Sequence, residues 1–128
     1  MIHLDASVLV EAFNGETPAA AALRHCLERR EPVTASSVAY YEWLRGPRRP
    51  NEVEYQQRVI PEQTVVPFGP TEAVYAAELY RRLPRSRART ADFAIAACAI
   101  VRGASLWTLN PTDFADIPDL TLFTPPRT

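Results

Sequence analysis

The sequence predicts an α/β fold, a three-layer sandwich built on a mostly parallel central sheet. Two observations carry that expectation. Short apolar runs alternate with helical segments along the whole chain, the order that builds parallel strands with helices on both faces of a sheet. Residues 93–101, FAIAACAIV, contain no polar side chain, so a helix there has no face to offer to water and belongs in a core. The 128 residues, 47% of them hydrophobic, form one domain over 1–128 with a substantial core, and 124–128 read as a loose, proline-rich tail.

In chain order, Ile2 to Leu4 is a short strand ending at Asp5. Asp5-Ala-Ser7 opens a short helix through Val8, Leu9 and Phe13, stopped by Asn14-Gly15. Thr17-Pro18 starts a second helix through Arg30, with proline in the tolerated first turn. Val33 to Ala35 is a strand, and Ser36 or Ser37 caps the helix SVAYYEWLRG, closed by Gly46-Pro47. Asn51 is read as the cap of a polar helix that Pro61 ends near Ile60. Thr64 to Val66 is expected to be a third strand. A helix opening at Thr71-Glu72 is expected to turn Val74, Ala77 and Leu83 inward. PRSRART reads as a short loop leading into the apolar helix, with Thr90 as N-cap and Asp92 in its first turn. Ser105 to Leu109 is a strand, Asn110 to Phe114 a turn, and Leu120 to Phe123 an edge strand.

Composition narrows the function. A net charge of −1 gives no overall basic field for drawing in nucleic acid. All fourteen basic residues are arginine, the side chain suited to bidentate phosphate and carboxylate contacts, so their local clustering matters more than their number. Cys26 and Cys98 lack metal-ligand spacing and read as small buried hydrophobes of a reducing compartment. The N-terminus has no basic region before its apolar run, and no apolar run exceeds nine residues. A cytoplasmic protein with no membrane span is expected.

Four acidic residues stand at suggestive places. Asp5 closes the first strand, Glu42 lies in the third helix, Asp92 opens the apolar helix, and Asp113 follows the last long strand. Each also has an ordinary reading: Asp5 as a helix cap, Glu42 as the partner of Arg45, Asp92 as part of a helix start, Asp113 as a turn residue. Ligands of open parallel sheets sit beyond the strands' carboxyl ends, where Asp5 and the 110–113 turn fall. Four carboxylates converging there would repel one another, and a divalent cation relieves that repulsion. Oxygen donors without His or Cys select Mg²⁺ or Mn²⁺ over Zn²⁺.

The same segments resemble the PIN domains. IHLDASVLVEAF looks like their N-terminal strand and Asp, YYEWLRG like the helix bearing their second acid, and ADFAIAACAI like their third motif. LWTLNPTDF is similar to their last strand and turn, where a threonine, an Asn or Asp, and a further acid before Phe recur. The four segments come in the family's order and span nearly the whole chain. Length and composition resemble more narrowly the VapC-type toxin of a toxin–antitoxin pair.

The resemblance implies a Mg²⁺- or Mn²⁺-dependent ribonuclease. It implies catalytic roles for Asp5, Glu42, Asp92 and Asp113, with metal held by Asp5, Asp92 and the Asn110/Asp113 turn. Many relatives have Asp at the position of Asn110, so the fourth ligand is shared between Asn110 and Asp113. Ser7 falls at a hydroxyl position expected to meet water or substrate. Arg85, Arg87 and Arg89 are the expected phosphate contacts, with Arg45, Arg48 and Arg49 as a second basic cluster. The implied partners are RNA, a small antitoxin protein and a second copy of the chain. His3 and His25 are read as core or surface residues rather than catalysts, and Tyr40, Tyr41 and Trp43 as core or interface. A phospho-receiver domain needs a lysine that this chain lacks, and a haloacid-dehalogenase-like phosphatase wants Asp where Ser7 stands. The competing reading is a PIN module that binds RNA or a protein without cleaving.

Overall fold

The computed structural model describes residues 1–126; of the tail expected at 124–128, residues 127–128 lie outside the described residues. Four parallel strands form one sheet in the order β2-β1-β3-β4: β1 is Ile2–Leu4, β2 Val33–Thr34, β3 Ser105–Trp107 and β4 Thr121–Leu122. Six α-helices connect them: α1 Ala6–Ala12, α2 Pro18–Glu28, α3 Ser37–Leu44, α4 Pro50–Val59, α5 Pro70–Arg82 and α6 Thr90–Val101. Every residue of β1 is buried, so both faces of the sheet centre are covered, as an all-parallel sheet requires. None of the helices among the described residues is long and apolar enough to cross a membrane.

Helix starts follow the local chemistry of the chain. Thr17 and Ser36 accept hydrogen bonds from the amides of Ala20 and Ala39, capping α2 and α3. Before α5, the Gly69 amide donates to Glu72 Oε1 at 3.0 Å, satisfying a donor that the first turn leaves free. That contact buries Glu72 and brings Ala76 and Leu79 inward with it. The expected inward face is therefore corrected at two positions: Val74 is 67% exposed and Ala77 is exposed, while Leu83 packs half-buried against the core as expected.

Other boundaries shift for identifiable reasons. α4 begins at Pro50 with Arg49 as its N-cap, not at Asn51, because proline has no N–H to satisfy in the first turn. Thr64 to Val66 is not a strand. Glu62–Thr64 makes a 3₁₀ turn, and Val66 forms a single parallel bridge to Ser36, with prolines at 61 and 67 removing the donors a longer ladder would need. PRSRART is not a plain loop, since Ser86–Arg89 winds as a 3₁₀ turn directly into α6. That displaces Thr90 from the cap position to the first residue of the helix.

The core holds α6 as expected, with Phe93 to Ala99 all buried. α6 packs against α5, α3 and β3, while α1 packs against α2, α3 and β1. Phe13, Trp43 and Tyr55 join in edge-to-face contacts with centroids 5.6 and 5.4 Å apart. Trp43 is fully buried, whereas Tyr41 on the same helix is 62% exposed. Cys26 and Cys98 are buried free thiols.

His3 sits inside this core with neither ring nitrogen hydrogen-bonded among the described residues. Burial first, then Arg102 and the N-terminal amine, lower its pKa to about 4, so the ring is neutral in the native protein. The unfolded chain takes up a proton near pH 6.5 that the folded chain refuses, and stability is lost as pH falls from 6.5 towards 4. Over that window the wild type is expected to lose up to roughly 3 kcal/mol relative to His3→Leu, with a constant difference above pH 7; denaturant titrations of both proteins across pH check this.

Candidate active site

Strand order reverses between β1 and β3: the chain goes from β1 to β2 on one side, then returns to β3 on the other. The crevice beyond the carboxyl ends at such a reversal is where open parallel sheets hold ligands. Asp5 and Thr108 stand there as the first residues beyond β1 and β3.

Asp5 is not a side-chain cap. Its backbone carbonyl accepts from the Val8 and Leu9 amides at 3.0 and 3.1 Å, while its carboxylate makes no capping bond to α1. The carboxylate is held elsewhere. Thr108 Oγ1 donates to Asp5 Oδ2 at 2.7 Å and Ser7 Oγ donates to the same oxygen at 3.0 Å. These hydroxyls are anchored in turn, Ser7 Oγ accepting from the Leu109 amide and Thr108 Oγ1 from the Asn110 amide at 3.1 and 3.0 Å. Both donors converge on Oδ2, and Oδ1 has no protein hydrogen bond among the described residues. The bracket orients a buried carboxylate and leaves one oxygen for something else.

Three other acids surround it. Asp92 is half-buried in the first turn of α6, and its pKa is raised to about 6 by burial first and then by the charges of Asp5, Asp113 and Glu42. Arg89 opposes that rise without cancelling it. Glu42, half-buried on α3, is also raised, by burial and then by Asp5, although Arg45 lies 3.5 Å away and pulls the other way. Asp113 ends a 3₁₀ turn at Pro111–Asp113 and is exposed, as is Asn110 just before it. The four expected acids therefore share one field. A cavity of about 180 Å³ opens beside them, lined by Arg85, Ala88, Arg89, Asp92 and Asp113.

Among the described residues, no three Asp, Glu, His or Cys side chains stand in a ready-made metal-holding arrangement. The chemistry of the donor set nevertheless fits a hard divalent cation: carboxylates that repel one another enough to raise Asp92, one oriented oxygen on Asp5, and neither His nor Cys among the groups acting on Asp92.

The arginines divide. Arg85, which lines the cavity, and Arg87 are exposed and make no ion pair among the described residues. Arg89 is corrected from a phosphate contact: it is 7% exposed and its guanidinium is engaged with the Asp116 carboxylate. Ser7 gives its one proton to Asp5, and its oxygen accepts from the Leu109 amide. In the second basic cluster, Arg48 donates to the Trp43 carbonyl and stacks on its ring, and Arg49 lies 3.9 Å from Glu52. Arg48 serves the fold, whereas the Arg49 side chain is 79% exposed.

A family model for the PIN domain matches residues 2–120. The chain belongs to the PIN domain family. Solved structures share the fold of this PIN domain. A toxin–antitoxin complex from Klebsiella pneumoniae has a chain with a TM-score of 0.73 at 20% identity, covering all of both chains. VapBC2 from Rickettsia felis, bound to a DNA fragment from its promoter, matches with a TM-score of 0.71 at 21% identity over 96% of this chain and 98% of the other. FitAcB from Neisseria gonorrhoeae matches with a TM-score of 0.68 at 21% identity over 98% of both. No curated protein sequence is significantly similar to this one.

Asp116 escaped the sequence reading of this PIN domain's cleft, and Thr108 stood there only as the threonine of LWTLNPTDF, with no role. Thr108 had a signal, a hydroxyl residue interrupting an apolar strand end opposite Asp5, but only the β1–β3 pairing shows whom it serves. Asp116 had none, since its pairing with Arg89 spans twenty-seven residues.

The raised pKa of Asp92 has a stability consequence. The folded protein binds this proton more tightly than the unfolded chain, so ionising Asp92 costs stability as pH rises from 3.8 through about 6. In chelator at pH 7–8, Asp92→Asn is expected to be more stable than wild type by roughly 1–2 kcal/mol after allowing for solvent screening, with the gain vanishing below pH 4. Denaturant melts at several pH values, with and without Mg²⁺, measure it.

Proposed function

We propose that this PIN domain is a Mg²⁺- or Mn²⁺-dependent ribonuclease acting as the toxin of a toxin–antitoxin pair. The observation that carries the reading is Asp92, a carboxyl raised by burial and three neighbouring acids at the strand-order reversal of the sheet. Burying mutually repelling carboxylates is unfavourable for folding alone and makes sense where a cation completes the site.

Asp5, Asp92 and the Asn110–Asp113 turn would hold the cation, whose charge makes a water more acidic and offsets negative charge on the phosphoryl oxygens. The protein's own groups do the rest. Thr108 and Ser7 fix the Asp5 carboxylate through Oδ2 and leave Oδ1 for the cation. Glu42, with its affinity for a proton raised by burial and Asp5, orients the attacking water and receives its proton. Arg85 and Arg87 bind the phosphates of the strand on either side of the scissile bond. The site suits unpaired RNA, whose backbone can bend into a narrow acidic cleft that a duplex does not enter.

The partner reading rests on similarity of fold to the chains of the toxin–antitoxin complexes and on an apolar surface beside the site. Tyr41 and Leu44 are exposed on α3 next to Glu42, where a small antitoxin protein would cover the cleft. A homodimer in the cytoplasm belongs to the same reading.

Purified protein freed of partner, given a structured RNA pool with Mg²⁺, Mn²⁺ or chelator, tests the proposal. Cleavage should require the metal and fall on the order of a hundredfold or more in Asp92→Asn, the scale of losing one active-site electrostatic group. Thr108→Val should cost about 10- to 100-fold by releasing Asp5. Activity surviving Asp92→Asn would point to a contaminating nuclease. Wild type and variant that bind RNA equally without cutting it would identify a non-catalytic module.

A further inference from the structure

We infer that Arg89 and Asp116 form a positioning pair that fixes the Asp113 turn against Asp92, and so sets the shape of the acidic cleft. The inference rests on the cleft being the cation and RNA site. It assigns Arg89 a task away from phosphate and gives Asp116 a place in the site's construction.

Arg89 is the residue just before α6, three positions ahead of Asp92. Its side chain is almost wholly buried, unusual for an arginine, and both terminal nitrogens of its guanidinium are engaged by protein acceptors. Nη1 donates to Asp116 Oδ2 at 3.0 Å and to the Pro84 carbonyl at 3.2 Å. Nη2 donates to Asp116 Oδ1 and, at 3.1 Å, to the carbonyl of Asp113 itself. The guanidinium plane lies over the Phe93 ring, 4.8 Å from its centroid. One side chain thus joins the turn before α6, the first turn of α6 and the 111–116 segment.

Geometry explains why arginine is needed. The bidentate pair with Asp116 sets the plane of the fork, and that plane leaves one N–H of Nη2 for the Asp113 carbonyl. A lysine at 89 would supply charge without the fork. Asp113 needs such a tether because its own turn is short: the Asp113 and Phe114 amides donate to Asn110 and Pro111 at 3.0 and 3.1 Å, with the side chain exposed.

Arg89→Met keeps volume and the packing on Phe93, and Asp116→Asn changes a residue whose side chain is 45% exposed, so the second variant stays folded even if the first does not. Two readouts are taken on each. In metal-free protein, hydrogen exchange should quicken about tenfold or more at the Asp113, Phe114 and Ile117 amides, with the amides of β1 and central α6 unchanged. In Mn²⁺ titrations, Kd should rise about tenfold, with Arg89→Lys between wild type and Arg89→Met, and kcat at saturating Mn²⁺ largely recovered. Unchanged exchange at 113–117, or faster exchange with unchanged Mn²⁺ affinity and kcat, overturns the positioning role, since a merely structural pair would lower stability alone. A wild type that binds no Mn²⁺ while its variants show the local exchange change overturns the cation reading and leaves the tether itself established.

Discussion

Leu4 lies opposite Trp107 in the parallel ladder, and the Asp5 amide continues that ladder by donating to the Trp107 carbonyl at 2.9 Å. This register is the constraint on which the cleft depends. It brings the first residue beyond β1 beside the first residue beyond β3, so that Thr108 can reach the Asp5 carboxylate at 2.7 Å. A slip of one residue would turn Asp5 to the other face of the sheet and separate it from both hydroxyls. Burial of β1 on both faces makes such a slip costly, which is how an ordinary packing requirement fixes the position of a carboxylate in the cleft.

Around that fixed carboxylate the other acids arrive on separate elements: Glu42 on α3, Asp92 on α6 and Asp113 on the turn after β3. Each is tolerated because part of its charge is met locally. Arg45 stands by Glu42, the charge of Arg89 opposes the rise at Asp92, and Asp113 remains in solvent. What remains uncompensated is concentrated on Asp92, the acid that the other three all act upon. The domain carries that repulsion at some expense of stability, the usual relation between a working site and the fold that supports it.

The two arginine groups show how burial sorts residues that composition cannot distinguish. Arg85 and Arg89 lie four positions apart in one short segment, yet Arg85 is exposed in a left-handed conformation while Arg89 is buried under Asp116. The 3₁₀ winding of Ser86–Arg89 turns one side chain outward and the other beneath the 111–116 segment. Arg48 and Arg49 divide similarly from the cleft, one stacked on Trp43 and the other beside Glu52.

The linear chain by itself determined the alternation of strands and helices, the buried α6, the helix start at Thr17-Pro18, a serine cap at 36 or 37, and the places of the four acids in the chain. Those features depend on contacts within a few residues or on a period of apolar side chains, and both are written locally. Tertiary structure decided the rest. Val66 is reduced to one bridge by its flanking prolines, the inward face of α5 is set by Glu72 and Gly69, and Ser7 is drawn to Asp5. Thr108 and Asp116 acquire their partners only when residues 103 and 27 positions away fold against them. Pairings at that separation leave no periodic trace in sequence, because the energy that selects them is that of the whole packed sheet and its covering helices.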